Sequence, residues 1–228
     1  MRWASRSPFR STRRWARRAT ASSGSRQVAG PIRFYFDFAS PFAYFAAAEI
    51  DRIGEEFGRP VERRPILVWA VLKALGIQAP MDPPAKRDYF LKDMRRSAAF
   101  HGLPYRHPVK LPLSSHLAAR LFHGCCDRLA RELVDVLARR LFNAFFVEHE
   151  DISDEATLVA LASETGISEA EALEAMHGQL GRTRLEAAVR EAIDAGVVGS
   201  PYILVDGEGF FGADRLPQLR WFLAGGGG

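Results

Sequence analysis

Cysteine is nearly missing from this chain: 228 residues hold two, adjacent at Cys125 and Cys126. Neighbouring cysteines make a poor ordinary disulfide, and no C-x-x-C pair occurs, so neither a disulfide framework nor dithiol redox chemistry is expected. Both thiols are read as reduced and partly buried. No run of eighteen apolar residues is present to span a membrane. The six histidines contain no H-x-x-x-H pair, His116 and His123 lie seven apart, and no metal site is expected. P-loop and dinucleotide fingerprints are also missing, because the glycines near 196–199 precede a strand.

Acidic residues are absent from residues 1–30, which hold eight arginines. That segment is therefore +8, and since the whole chain is +4 the remaining 198 residues are −4. A basic nucleic-acid surface on the folded part is disfavoured. The segment is rich in Arg, Ser and Ala and lacks an apolar stretch, which fits either a disordered tail or an organellar transit peptide but not a secretory signal. The expected location is cytoplasmic, or mitochondrial if residues 1–30 are a transit peptide. They are left out of the fold in either case.

With 47% hydrophobic residues, the rest of the chain has ample material for a core. The run Ile32 to Asp37 (IRFYFD) reads as a strand bounded by Pro31 and Ser40. A helix follows from Pro41 to about Phe57, with Gly58 as its stop, and Val61 to Leu67 is the next strand, where Pro65 must lie at an end or edge. Helices are expected over 69–75, 85–100, 114–124, 127–148 and 154–164, with a proline-rich loop at 102–113. A further helix, from Ser168 to about Gln179, opens with an S-x-x-E capping box. Arg184 to Ala195 gives another helix, closed by Gly196. Strand character returns at Tyr202 to Val205, followed by the Asp206-Gly207 hairpin signal, Gly209 to Phe211, and a final helix from Ala213 to Leu223.

The order strand, helix, strand, helical block, helix, strand, strand, helix is the thioredoxin arrangement with a large all-helical insertion, an α/β fold. The domain reading is 31–68 and 184–224 for the thioredoxin-like part and 69–183 for the insertion. Within it, Ser40 falls at an N-cap because Pro41 suits the first helical turn. One hydroxyl thus sits at the positive end of a helix dipole, just past a strand, where an anion would meet donors. Pro201, after Gly199-Ser200, stands where thioredoxin-like folds keep a cis-proline beside the active turn; the alternative is that it only starts a strand.

Four stretches carry a family resemblance: FYFDFASPFAYF at 34–45, PAKRDYFLKDMRRSAAFHGLPY at 84–105, FFVEHEDISDEATL at 145–158, and GVVGSPYILVDGEGFFGADRL at 196–216. In these the chain resembles the 2-hydroxychromene-2-carboxylate isomerases and their relatives, the kappa-class glutathione transferases. The resemblance implies a glutathione site with Ser40 as the catalytic residue beside Pro41 and Phe42. It also implies backbone pairing of the tripeptide at Ser200 and Pro201, and a contact from Ala213 and Asp214. Asp214 would accept from the glutathione α-ammonium; otherwise it is the N-cap of the last helix. Lys86, Arg87 and Arg95 are candidates for the carboxylate of a small aromatic acid substrate, against the simpler reading of a solvated helix face.

The implied reaction is reversible conjugate addition of a glutathione thiolate to an unsaturated aromatic acid. A serine cannot exchange disulfides, so the attacking sulfur has to arrive with the cofactor. A kappa-like transferase and a noncatalytic thioredoxin-like binding module are the competing readings. A homodimer is implied by the resemblance, with no nucleic-acid or membrane partner. Two departures stand out: Ile77 holds a position where the family often has a glutathione-contacting asparagine, and Ser200 replaces a valine or leucine, changing the pocket wall. Trp69 is expected to narrow the acceptor side, and Tyr44 either lines the site or is a core aromatic.

Overall fold

A computed structural model describes residues 30–81, 83–126 and 129–226. Apart from Gly30, the segment read as a tail or transit peptide lies outside the described residues. Four strands, β1 (Ile32–Phe36), β2 (Val61–Pro65), β3 (Tyr202–Val205) and β4 (Glu208–Phe211), form one sheet in the order β2-β1-β3-β4. β1 and β2 are parallel, and the other two pairings are antiparallel. Pro65 ends the edge strand, where its missing N–H deprives no ladder partner. Asp206 and Gly207, with φ of 51° and 87°, make the two-residue turn joining β3 to β4.

Strand alternation sorts the side chains onto two faces. Ile32, Phe34, Phe36, Ile203 and Val205 face α1 (Pro41–Glu56) and the helical block, in a core that continues through Phe38, Phe122, Phe142 and Phe146. Tyr35 lies on the opposite face with Ile66, Val71, Ala188, Ala192 and Val197, covered by α2 (Val68–Ala74) and α8 (Gln179–Asp194). Phe34 and Phe36 are fully buried and stacked with centroids 4.9 Å apart, and each such ring contributes about 1.5–3 kcal/mol on burial.

The block between β2 and β3 holds α3 (Pro84–Phe100), α4 (His116–Cys125), α5 (Arg131–Asn143), α6 (Glu155–Glu164) and α7 (Glu169–His177). Three expectations are revised. The helix expected over 127–148 runs as α5 and then widens into a π-helical turn, Ala144–Glu148, closed by His149 in the left-handed region; residues 127 and 128 lie outside the described ones. The helix from Ser168 keeps its capping box but ends at His177, and α8 begins at Gln179 rather than Arg184. Gly178 is extended and serves both helices, while Gly181 is buried inside α8, where a Cβ would collide with the Ala175 carbonyl. The last helix spans the expected residues but is not uniform: a 3-10 turn, Ala213–Arg215, leads into α9 (Leu216–Trp221), which widens into a π-helical turn, Phe222–Gly226.

No helix among the described residues is long and apolar enough to cross a membrane. Neither Cys125, in the last turn of α4, nor Cys126, just after it, is in a disulfide.

Candidate functional site

The β1–α1 turn is built around a buried carboxylate. Asp37 is 3% exposed, and both of its oxygens are engaged. Oδ1 accepts from the Ala39 N–H at 2.9 Å and from the Ser115 hydroxyl at 2.6 Å; Oδ2 accepts from the Val68 N–H at 2.9 Å. Burial pushes this carboxyl above its ordinary range, while the three donors pull it back down. One side chain therefore fixes the β1–α1 turn against the N-terminus of α2 and the residue preceding α4. The backbone N–H of Asp37 donates to the Ser200 hydroxyl at 2.9 Å, which ties in the proline loop.

Ser40, three residues on, is the N-cap of α1 with extended backbone (φ −92°, ψ 113°), followed by Pro41 in the first turn. Its Oγ accepts from the Ala43 N–H at 3.3 Å and donates to the Ser200 carbonyl at 3.0 Å. The Ser200–Pro201 peptide is cis, and the Pro201 carbonyl accepts from the Gly212 N–H at 3.0 Å. Hydrogen bonds thus run from Ser40 through Ser200 and Pro201 to the turn carrying Ala213 and Asp214. Residues expected to act together from positions 40, 200–201 and 213–214 are neighbours in the fold.

Pro41 and Pro201 are buried, Ser40, Phe42 and Ser200 are half-buried, Ala213 is buried and Asp214 is exposed. Asp214 is not an N-cap, since Gly212 holds that position; its carboxylate curls back over Gly212 and pairs with Arg215 at 2.8 Å. Such an exposed pair is worth under about 1 kcal/mol, so the carboxylate is readily given to another cation. The first turn of α1 carries no acid, which leaves its positive end open to an anion. Ser200, expected to alter the pocket wall, instead turns its hydroxyl to the Asp37 backbone.

The three candidate cations on α3, Lys86, Arg87 and Arg95, do not form one cluster. Positions 86 and 95 lie about 14 Å apart along the helix axis. Lys86 and Arg87 are exposed one turn before Phe90, whose ring meets that of Phe42 edge-on at 5.9 Å, and Arg87 also donates to the Met81 carbonyl at 3.0 Å. Arg95 acts instead on Tyr105 and His107, helping to hold the imidazole below its usual value behind the larger effect of burial. Tyr44 is a core aromatic: it stacks on Phe146 and donates to the Pro104 carbonyl at 2.8 Å. Ile77 lies at the surface past the turn that ends α2, and Trp69 is 55% exposed on that helix. A depression of about 420 Å³ at the far end of α1 is lined by Asp51, Arg63, Asp135 and Arg139. Its nearly buried Arg63 is closed by Asp51 and Asp135, which marks a structural ion-pair network rather than a site.

Asp37, Ser115 and the Ser200 hydroxyl are the polar groups that sequence reasoning missed. The available signal was an acid closing an aromatic strand directly before the active turn. Neither protein thiol competes for the role of nucleophile, because Cys125 is buried and burial pushes Cys126 up to about 12.

The family model described as the DSBA-like thioredoxin domain matches residues 31–224. Glutathione S-transferase kappa 2 of Caenorhabditis elegans is 28% identical over 206 residues, covering 85% of this chain and 91% of the relative. A 2-hydroxychromene-2-carboxylate isomerase of Pseudomonas putida is 30% identical over 193 residues, covering 83% and 92%. A solved structure of a 2-hydroxychromene-2-carboxylate isomerase has the same fold, with a TM-score of 0.75 at 23% identity over 85% of this chain and 94% of that one.

Proposed function

Because this chain belongs to the DSBA-like thioredoxin domain family, in the group that holds the 2-hydroxychromene-2-carboxylate isomerases and kappa glutathione transferases, we propose that it is a glutathione-dependent isomerase of an unsaturated aromatic acid. The observation that carries this reading is the Ser40 hydroxyl at the N-terminus of α1, 3.0 Å from the carbonyl before Pro201. A peptide thiol fits these groups: the Ser200 N–H is without a partner among the described residues, its carbonyl is held only by a side chain, and Asp214 is an exposed carboxylate near a turn tied to Pro201.

Glutathione, when bound, supplies a thiolate that adds reversibly to the unsaturated substrate and leaves unchanged. Ser40 and the end of α1 make that thiolate available near neutral pH. A free thiol has a pKa of about 8.5. A hydrogen bond to an anion is worth about 1.5–3 kcal/mol and a helix N-terminus about 0.3–1 kcal/mol, which together lower the thiol pKa by roughly two units. Ser200 and Pro201 hold the tripeptide backbone, and Asp214 accepts from its α-ammonium. Phe42 and Phe90 present an apolar wall for the aromatic ring, with Lys86 and Arg87 at its edge for the substrate carboxylate.

The test is to follow the absorbance of a 2-hydroxychromene-2-carboxylate with enzyme, with and without a small amount of glutathione. Isomerisation that needs glutathione but does not consume it is expected; isomerisation at the same rate without glutathione sinks the reading. The similarity to kappa transferases supports a second reading, conjugation, in which glutathione is consumed stoichiometrically with an electrophile such as a halonitrobenzene.

A further inference from the structure

Ser40 has one hydroxyl proton, and it is directed at the Ser200 carbonyl 3.0 Å away, not into open space. The same oxygen accepts the Ala43 N–H at 3.3 Å, so the lone pairs serve the helix while the proton serves the proline loop. To donate to a bound sulfur, the O–H must leave that carbonyl. Stripping a partly buried carbonyl of its donor costs about what the new bond returns. A replacement donor is therefore needed.

Ser200 shows which group could replace it. Its N–H has no partner among the described residues, and its carbonyl is occupied only by a displaceable hydroxyl. A free N–H beside an available carbonyl is the edge to which one residue of an extended peptide pairs with two hydrogen bonds. Pro201 lacks an N–H, so the pairing is confined to Ser200 on that side.

The geometry points to an exchange at the Ser200 carbonyl: the amide N–H of the thiol-bearing ligand residue displaces the Ser40 O–H, which then turns to the sulfur. No covalent bond to the protein forms or breaks. The thiol proton leaves to water, and Ser40 keeps its own. Thiol ionisation is then conditional on backbone docking, and the site selects peptidyl thiols with a free cysteine N–H over simple alkyl thiols of equal acidity. This inference rests on the glutathione reading and adds the ligand group that releases Ser40.

Two measurements test it. In the first, the pKa of the bound thiol is read from ultraviolet thiolate absorbance in wild type and Ser40→Ala, each saturated with glutathione or with an ester analogue in which oxygen replaces the cysteine N–H. With glutathione, the thiol ionisation constant is expected to be about tenfold larger on wild type than on the variant, one pKa unit. With the ester, the two proteins are expected to agree within about twofold. The same tenfold effect with the ester overturns the exchange. In the second, binding of γ-glutamyl-alanyl-glycine, which lacks sulfur, is compared by calorimetry. It should bind Ser40→Ala about fivefold more tightly than wild type, because no hydroxyl has to be displaced and no sulfur repays its loss. Equal or weaker binding to the variant overturns the exchange. If neither glutathione nor this tripeptide binds either protein at millimolar concentration, the glutathione reading itself fails and the exchange fails with it.

Discussion

Replacing Asp37 with asparagine should cost about 3 kcal/mol of folding free energy, although the side chain keeps its shape. An amide has one acceptor oxygen where the carboxylate has two. If the carbonyl keeps the Ala39 N–H and Ser115 hydroxyl at the Oδ1 position, the new NH2 group faces the Val68 N–H. One buried donor is then orphaned at the start of α2, which costs about 1–3 kcal/mol, and a charge-assisted bond worth about 1.5–3 kcal/mol is lost. Removing the charge returns part of this sum, because burial already holds the Asp37 carboxyl above its ordinary range. Chemical denaturation gives the difference directly, and at this chain length about 3 kcal/mol corresponds to a Tm lower by roughly 6–12 °C. Ser115→Ala alone should cost about 1–2 kcal/mol, and less in the Asp37→Asn background, since the two share a bond. An Asp37→Asn variant within about 0.5 kcal/mol of wild type refutes the view that this carboxylate binds the active turn to α2 and α4.

His123 tests a second buried group through pH. Its Nε2–H donates to the Pro65 carbonyl at 2.8 Å, and burial lowers its pKa from 6.5 to about 4. The unfolded chain therefore takes up the proton first, so stability contributed by His123 is complete above pH 6.5, declines as pH falls toward 4, and is level below that. Relative to His123→Gln, wild type should lose about 3 kcal/mol across that window; parallel curves contradict the assignment. Gly181→Ala places a methyl against the Ala175 and Arg120 carbonyls and should cost about 3 kcal/mol by denaturation, since backbone atoms cannot step aside. Lys86→Ala with Arg87→Ala should raise KM for the acid substrate about fivefold with unchanged glutathione affinity. A fall in glutathione affinity instead would place these cations at the tripeptide.

What could be read from the sequence divides along physical lines. Caps and turns are local: Ser40 before Pro41, the Ser168–Glu171 box and Asp206-Gly207 are each set by residues within four positions, and each forms as expected. The strands and their thioredoxin-like succession follow from short apolar runs bounded by Pro, Ser and Gly on either side of a helical block, whereas the order β2-β1-β3-β4 within the sheet comes from the structure. The polar partners of Asp37 are another matter, because Val68 and Ser115 lie 31 and 78 residues away and no local rule pairs them. Gly181 was unreadable for a related reason: a glycine that breaks a helix and one that lets two helices touch look alike in sequence. The scattering of Lys86, Arg87 and Arg95 along α3 follows from helical rise alone and was legible, but which of them reaches the Phe42–Phe90 wall depends on how α3 crosses α1.

In the proposed function Ser40 acts as a donor to a sulfur brought by glutathione and forms no bond to substrate. Turnover of Ser40→Ala against wild type across pH tests this most directly. If the hydroxyl only raises the thiolate fraction, a wild-type thiol pKa about two units below 8.5 and a variant pKa about one unit higher make the variant's deficit roughly eightfold near pH 6, roughly threefold near pH 7 and negligible near pH 9. A deficit that stays constant over that range contradicts the account, because it would mean Ser40 does something that a ready-made thiolate cannot replace.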